Sequence, residues 1–182
     1  MVLLMTDKFK AIIVCDFDGT ITLQDVCDRI VEAFGGDGWR GADKAFDAGK
    51  ISFEEMNKSF AKNLQCTPEE LDGLINSNIQ LREGFHEFRS FLQEQGIGFL
   101  VVSSGWDLYI KSTLKGASLT FVDDLPRIDT ALNDQAIAVA CNKLEPHEGS
   151  FNFMMHTLKS DLGAPDKELI VNHLKSKFGV PV

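Results

Sequence analysis

The sequence predicts an α/β fold built on a mainly parallel sheet, with a small helical cap inserted after the first strand. Three observations carry this expectation. Ala11 to Cys15 is an unbroken apolar run ending in Asp16, Ile97 to Val102 is a second such run ending in Ser103-Ser104-Gly105, and a helical pattern follows each. Short continuous apolar runs mark strands buried on both faces, the habit of parallel sheets. The segment between the two runs is far longer than an ordinary crossover, so its helices are expected to fold over the site as a cap.

Taken in order, the first apolar run delivers polar residues at its C-terminal end, where open α/β sheets place their active sites. After a turn at Gly19, Val26, Ile30, Val31 and Phe34 recur at helical spacing; Thr22-Leu23-Gln24-Asp25 resembles a capping box at the start, and Gly35-Gly36 ends the helix. From there to about Asn78 the chain is more polar, with two short helices expected, one after a Ser52 cap and one after Thr67-Pro68. Phe85, Phe88, Phe91 and Leu92 form a helical stripe closed by Gly96.

Beyond the second strand, Leu108 to Leu114 reads as a helix and Ala136 to Cys141 as a strand; Asp123 to Asn133 has no decisive pattern, and Glu145-Pro146-His147-Glu148 reads as a polar turn. The last helix runs from Asp166 to Phe178, with Ile170, Val171, Leu174 and Phe178 on one face and Gly179 as its stop. The expected division is a discontinuous core, residues 1–24 and 80–182, and a helical cap over residues 25–79.

Composition narrows the function. A 182-residue chain with 44% hydrophobic content can bury one main core. Its 27 acidic and 18 basic residues argue against nucleic acid or an anionic membrane surface as partner, since both need clustered cations. No segment is long enough to span a membrane, and Val2 to Met5 is too short an apolar run for a signal sequence. Cys15, Cys27, Cys66 and Cys141 form no Cys-x-x-Cys pair, so a reducing, cytoplasmic setting is expected rather than a zinc site or disulfide framework. An acidic chain acting on an anionic substrate needs a divalent cation and a local Lys at the site.

Asp16-Phe17-Asp18-Gly19-Thr20 is the stretch that carries chemistry. Two carboxylates two apart in extended chain point to the same side and can share a cation. Asp16 can attack phosphorus while Asp18 protonates the leaving alcohol and then deprotonates the incoming water. Gly19 lets the chain turn sharply and present N–H groups to a phosphate. An isolated Asp-x-Asp is usually an Asx turn, but here a buried strand precedes it and Gly-Thr follows. Ser103 offers a hydroxyl and an N–H to a phosphate oxygen, and Ser104 and Gly105 add further N–H groups, although a plain helix N-cap is the simpler reading of Ser103 alone.

Lys167 opens the last helix, where the helix dipole disfavours a cation, so a role in neutralising the nucleophile and the phosphoryl group would justify it; a surface Lys is the plain alternative. His86, His147, His156 and His173 lack metal-ligand spacing. Trp39 and Trp106 are expected to pack, with Trp106 a candidate wall of the pocket.

These residues resemble a known family. "CDFDGTIT" is similar to the first motif of haloacid dehalogenase (HAD) superfamily phosphatases and "FLVVSSGWDLYI" to the second; "GKIS" and "LREGFHEF" resemble runs of the phosphoserine phosphatase-like branch, in particular its 2-hydroxy-3-keto-5-methylthiopentenyl-1-phosphate phosphatases. The resemblance extends from Phe9 to Phe178 and is patchy after Leu114. It implies a Rossmann-like core and Mg2+-dependent hydrolysis of a small phosphorylated metabolite through an aspartyl-phosphate. It also implies Asp16 as nucleophile and metal ligand, Asp18 as acid/base whose carbonyl ligates the metal, and Ser103 on the phosphate. Lys167 matches the third-motif lysine, although Asp166 stands where the family usually has Cys. Asp25 stands where relatives carry a substrate-reading acid, with helix capping its simpler account.

The family's fourth motif, a strand followed by Gly-Asp and a further Asp that hold magnesium, would begin just past Val182. Asp161 and Asp166 have a passable spacing but precede the Lys167 helix and follow no convincing strand. The expectation is therefore a shortened form of a longer phosphatase, with weakened magnesium binding, a sheet incomplete on its C-terminal side and an exposed edge that leaves an oligomer open. Two alternatives stand beside the enzyme. One is a catalytically impaired relative that binds a phospho-ligand or a protein; the other is a phosphoacceptor switch, which the long helical insertion opposes.

Overall fold

The computed structural model describes residues 9–132, 136–160 and 165–182. Along the chain lie β1 (Ala11–Cys15), α1 (Val26–Phe34), α2 (Trp39–Asp47), α3 (Phe53–Asn63), α4 (Pro68–Asn78), α5 (Phe85–Gln95), β2 (Ile97–Trp106), α6 (Asp107–Thr113), β3 (Leu119–Phe121), α7 (Leu125–Ala131), β4 (Ile137–His147), β5 (Ser150–Met154) and α8 (Lys167–Phe178). The expected α/β class is what the structure shows. The sheet runs β1-β2-β4-β3 with every neighbouring pair parallel, and β5 joins β4 antiparallel off that path.

Strand alternation explains why the apolar runs are continuous: both faces of the sheet are covered. Ile12, Leu100, Val102, Ala138 and Ala140 pack on one face with Ile128 and Ala131 of α7 and Ile170 and Leu174 of α8. Val101, Val139 and Cys141 pack on the other with Ile30 and Val31 of α1, Phe60 of α3, Leu71 and Ile75 of α4 and Ile110 of α6. Helices of the insertion thus share a buried cluster with one face of the sheet. No helix among the described residues is long and apolar enough to cross a membrane.

The expected caps on α3 and α4 are in place, Ser52 with Glu55 and Thr67 with Glu70 each forming a reciprocal capping box. At α1 the cap differs from expectation. Asp25, not Thr22, accepts from the Asp28 N–H at 3.1 Å, and the Thr22 hydroxyl is spent on the Phe17 and Gln24 carbonyls. A third insertion helix, α2, was not expected; it has no side-chain cap and no fully buried residue, so neither usual signal was there to read. The indecisive stretch before Asn133 contains α7, capped by Asp124 accepting from Arg127 N–H at 2.8 Å. Glu145 to His147 is not a turn but the exposed end of β4, paired with β5 across a turn at Glu148-Gly149.

β1 stands at the edge of the sheet order. The C-terminal tail meets that edge, where the Pro181 carbonyl accepts from Ile12 N–H at 2.9 Å.

Candidate active site

The parallel pairing of Cys15 with Val101 places the ends of β1 and β2 side by side, which brings Asp16 and Asp18 to Ser103. The chain leaves β1 through a tight turn. The N–H groups of Thr20, Ile21 and Thr22 all point to the Phe17 carbonyl, Gly19 adopts φ 67°, and Phe17, fully buried, anchors the turn in the core. A side chain at φ near +60° is strained, so Gly19 suits this corner. Arg82, at the far end of the insertion, holds the same turn from outside by donating from Nε to the Thr20 carbonyl at 2.7 Å and from Nη2 to the Gly19 carbonyl at 2.9 Å.

Asp16 is half-exposed. Its Oδ1 accepts from Phe17 N–H at 2.8 Å, and its Oδ2 meets Lys167 Nζ at 2.8 Å. Lys167 is the first residue of α8; Asp166 caps that helix by accepting from Leu169 N–H at 2.8 Å, and Ile170 and Leu174 seat it on the sheet. Asp166 is thereby committed to capping, while Asp161 lies outside the described residues.

Asp18 is held in a different way. Its Oδ1 accepts from Val26 N–H at 3.0 Å, and its Oδ2 accepts from the Tyr109 hydroxyl at 2.5 Å, with Ser103 Oγ at 3.4 Å. Burial pushes its pKa up to about 6; the Asp25 and Asp16 carboxylates add to the rise, and the bonds from Tyr109 and Val26 oppose it. A carboxyl group with a pKa near 6 keeps a protonated fraction nearer neutral pH than an ordinary carboxyl group does.

Ser103 is buried, and its Oγ accepts from Gly105 N–H at 3.0 Å. Ser104 is exposed, and its carbonyl accepts from Asn142 Nδ2 at 2.7 Å; Asn142 is itself buried and accepts from His156 N–H. Gly105 leaves room for this pair: a Cβ there would stand 1.6 Å from the Tyr109 hydroxyl and 2.8 Å from Asp18 Oδ2. Asp25 is exposed and caps α1.

Trp106 does not wall a pocket. It is fully buried, and its indole N–H donates to Asn57 Oδ1 of α3 at 2.9 Å, tying the end of β2 to the insertion. His156 has both ring nitrogens engaged, with the Val122 carbonyl and Leu158 N–H, while His173 pairs with Asp129 at 2.7 Å and His86 and His147 are exposed. Among the described residues no group of three or more His, Cys, Asp or Glu could hold a metal. Of the two carboxylates after β1, that of Asp16 is half-exposed, while both carboxylate oxygens of Asp18 accept hydrogen bonds.

Sequence reasoning does not find Tyr109, Arg82 or Asn142. Tyr109 reads as an apolar helix position, and the other two act through contacts distant in sequence.

Residues 13–146 match the family of haloacid dehalogenase-like hydrolases. The chain belongs to that family. Among similar haloacid dehalogenase-like proteins, the 2-hydroxy-3-keto-5-methylthiopentenyl-1-phosphate phosphatase of Geobacillus thermodenitrificans is 34% identical over 110 residues, 60% of this chain and 50% of the relative. The phosphatase of the same name from Bacillus velezensis is 32% identical over 106 residues, 58% of this chain and 45% of the relative. The chain thus spans about half the length of the curated relatives it matches. A solved phosphoserine phosphatase, captured as an analogue of its phospho-aspartyl intermediate, superimposes with a TM-score of 0.60 at 22% identity, covering 96% of this chain and 74% of that one. A HAD family hydrolase from Salmonella enterica serovar Typhi gives a TM-score of 0.63 at 15% identity, covering 94% of this chain and 53% of that one. At these identities the structural likeness is one of fold. The family match takes in Asp16, Asp18, Asp25 and Ser103 but ends before Lys167, whose ion pair with Asp16 is a separate observation.

Proposed function

We propose that this chain hydrolyses a small phosphate monoester, with Asp16 as nucleophile and Asp18 as acid/base. The observation that carries the reading is convergence. The ends of β1 and β2 and the start of α8, remote in sequence, put Lys167 Nζ 2.8 Å from Asp16 Oδ2 and Ser103 Oγ 3.4 Å from Asp18 Oδ2. In the first step an Asp16 carboxylate oxygen bonds to phosphorus, the ester P–O bond breaks, and the Asp18 proton passes to the leaving oxygen. In the second, a water oxygen bonds to phosphorus as its proton passes to Asp18, the Asp16–phosphorus link breaks, and inorganic phosphate leaves with Asp18 reprotonated. Ser103 would bind a phosphoryl oxygen and Lys167 would offset its charge; the expected N–H donors of Gly19 and Gly105 are already engaged, by the Gln24 carbonyl and by Ser103 Oγ.

Magnesium would be held by the Asp16 carboxylate and the Asp18 carbonyl, since Mg2+ commonly keeps several waters and takes phosphate oxygens alongside one or two carboxylates. When bound it would neutralise charge on the phosphoryl group. The substrate is assigned as a small phosphorylated metabolite, read in part by Asp25 and the insertion. Residues 1–24 and 80–182 would act as the core and residues 25–79 as the cap, in a cytoplasmic protein. The intact set of Asp16, Asp18 and Lys167 disfavours a silent binding module.

The test is phosphate release from a panel of small monoesters, including 2-hydroxy-3-keto-5-methylthiopentenyl-1-phosphate, with and without Mg2+. Magnesium-dependent turnover that disappears in Asp16→Asn is the expected result; no turnover across the panel would contradict the reading.

A further inference from the structure

Tyr109 lies on α6, within the apolar pattern of that helix, and it is fully buried. A phenylalanine would fill the same volume, so what the tyrosine adds is one hydroxyl. A buried tyrosine hydroxyl needs a partner. Here the partner is Asp18 Oδ2, at 2.5 Å, the separation of a strong charge-assisted O–H···O bond. The surroundings are shaped to receive it. Gly105 leaves out the Cβ that would stand 1.6 Å from the hydroxyl, so the space beside Asp18 is occupied by the tyrosine oxygen in place of a side chain. The other carboxylate oxygen is tied to Val26 N–H at the start of α1. Asp18 is therefore gripped between two helices, one on each side of its carboxylate.

We propose that Tyr109 is a positioning residue that holds the Asp18 side chain in the orientation from which it exchanges protons with the leaving group and with water. Ser103 Oγ, at 3.4 Å from the same Oδ2, is too distant to hold the carboxylate alone. With the tyrosine hydroxyl gone, Asp18 keeps the Val26 bond on Oδ1 and the long Ser103 contact on Oδ2, and can rotate about the former. The inference rests on the assignment of Asp18 as acid/base.

General acid assistance matters for a poor leaving group and little for a good one, which separates positioning from a general structural role. The experiment compares an alkyl phosphate with p-nitrophenyl phosphate for the wild type, Tyr109→Phe, Asp18→Asn and Asp16→Asn. Tyr109→Phe is expected to lower kcat/KM on the alkyl ester by about tenfold, a part of the 10² or more that a complete loss of general acid would cost, while kcat/KM on p-nitrophenyl phosphate, which reports only the steps up to release of the leaving group, changes less than about twofold. An unchanged alkyl-to-aryl ratio in Tyr109→Phe, or an equal loss on both esters, would overturn the proposal. If Asp18→Asn itself leaves the ratio unchanged, the acid/base assignment fails instead, and if Asp16→Asn retains turnover, the nucleophile assignment fails. Crystal structures of the wild type and Tyr109→Phe read the positioning without turnover: Asp18 should leave its observed orientation in the variant, and an unmoved carboxylate would overturn the proposal.

Discussion

Asp16 and Asp18 are two residues apart and chemically identical, yet the fold treats them differently. Asp16 reaches into solvent and faces a lysine from the last helix, while Asp18 turns inward against a helix N–H and a buried tyrosine hydroxyl. The residue between them makes the split: Phe17 is driven into the core, so the chain pivots about it. A paired, accessible carboxylate is suited to attack, and a buried one whose pKa rises to about 6 is suited to carry a proton. In the proposed mechanism, environment rather than residue type assigns the two roles.

Exchanging the environments or removing the groups should separate the roles. Asp16→Asn takes away the nucleophile, and turnover of every ester, activated or not, is expected to fall by at least about 10⁴, as measured by phosphate release. Asp18→Asn should be selective in kcat/KM, with a loss of about 10² to 10⁴ on alkyl esters and far less on p-nitrophenyl phosphate. Lys167→Ala leaves both carboxylates but removes the cation beside Asp16, and a loss of about 10² in kcat/KM is expected, with stability within about 1 kcal/mol of wild type because the ion pair is half-exposed.

The smallest effect concerns stability and runs the other way. Because folding raises the Asp18 pKa, the group contributes its stability as the neutral acid at low pH, and this is lost as pH rises through about 6. In metal-free protein, Asp18→Asn should therefore be more stable than wild type by on the order of 1 to 2 kcal/mol at pH 8, with the difference closing below about pH 4, by denaturant unfolding at both pH values.

Which parts of this arrangement could be read from the sequence follows from how local their signals are. β1, β2 and α8 announce themselves because burial on both faces, or a sustained helical stripe, writes a pattern into consecutive residues. β5 also carries a signal, the alternation of Phe151 and Phe153 behind Glu148-Gly149, but the polar, exposed Glu145 to His147 with its proline disguises the partner strand. α2 has neither a cap nor a buried face, and β3 is three residues long. In the site, Asp16, Asp18 and Ser103 stand at strand ends and are legible for that reason. Lys167 is legible through its cost at a helix start, which the ion pair with Asp16 accounts for. Tyr109, Arg82 and Asn142 act through single bonds to residues far away in the chain, and nothing in their own neighbourhood marks them.

The most direct test of the division of labour between the two carboxylates is acid-quenched turnover followed by peptide mass spectrometry. The expected result is one phosphoryl group, labile to base, on the peptide that holds Asp16, and none when Asp16 is replaced by Asn. Steady turnover with no phosphoryl group on that peptide, or with the group on Asp18, would contradict the account.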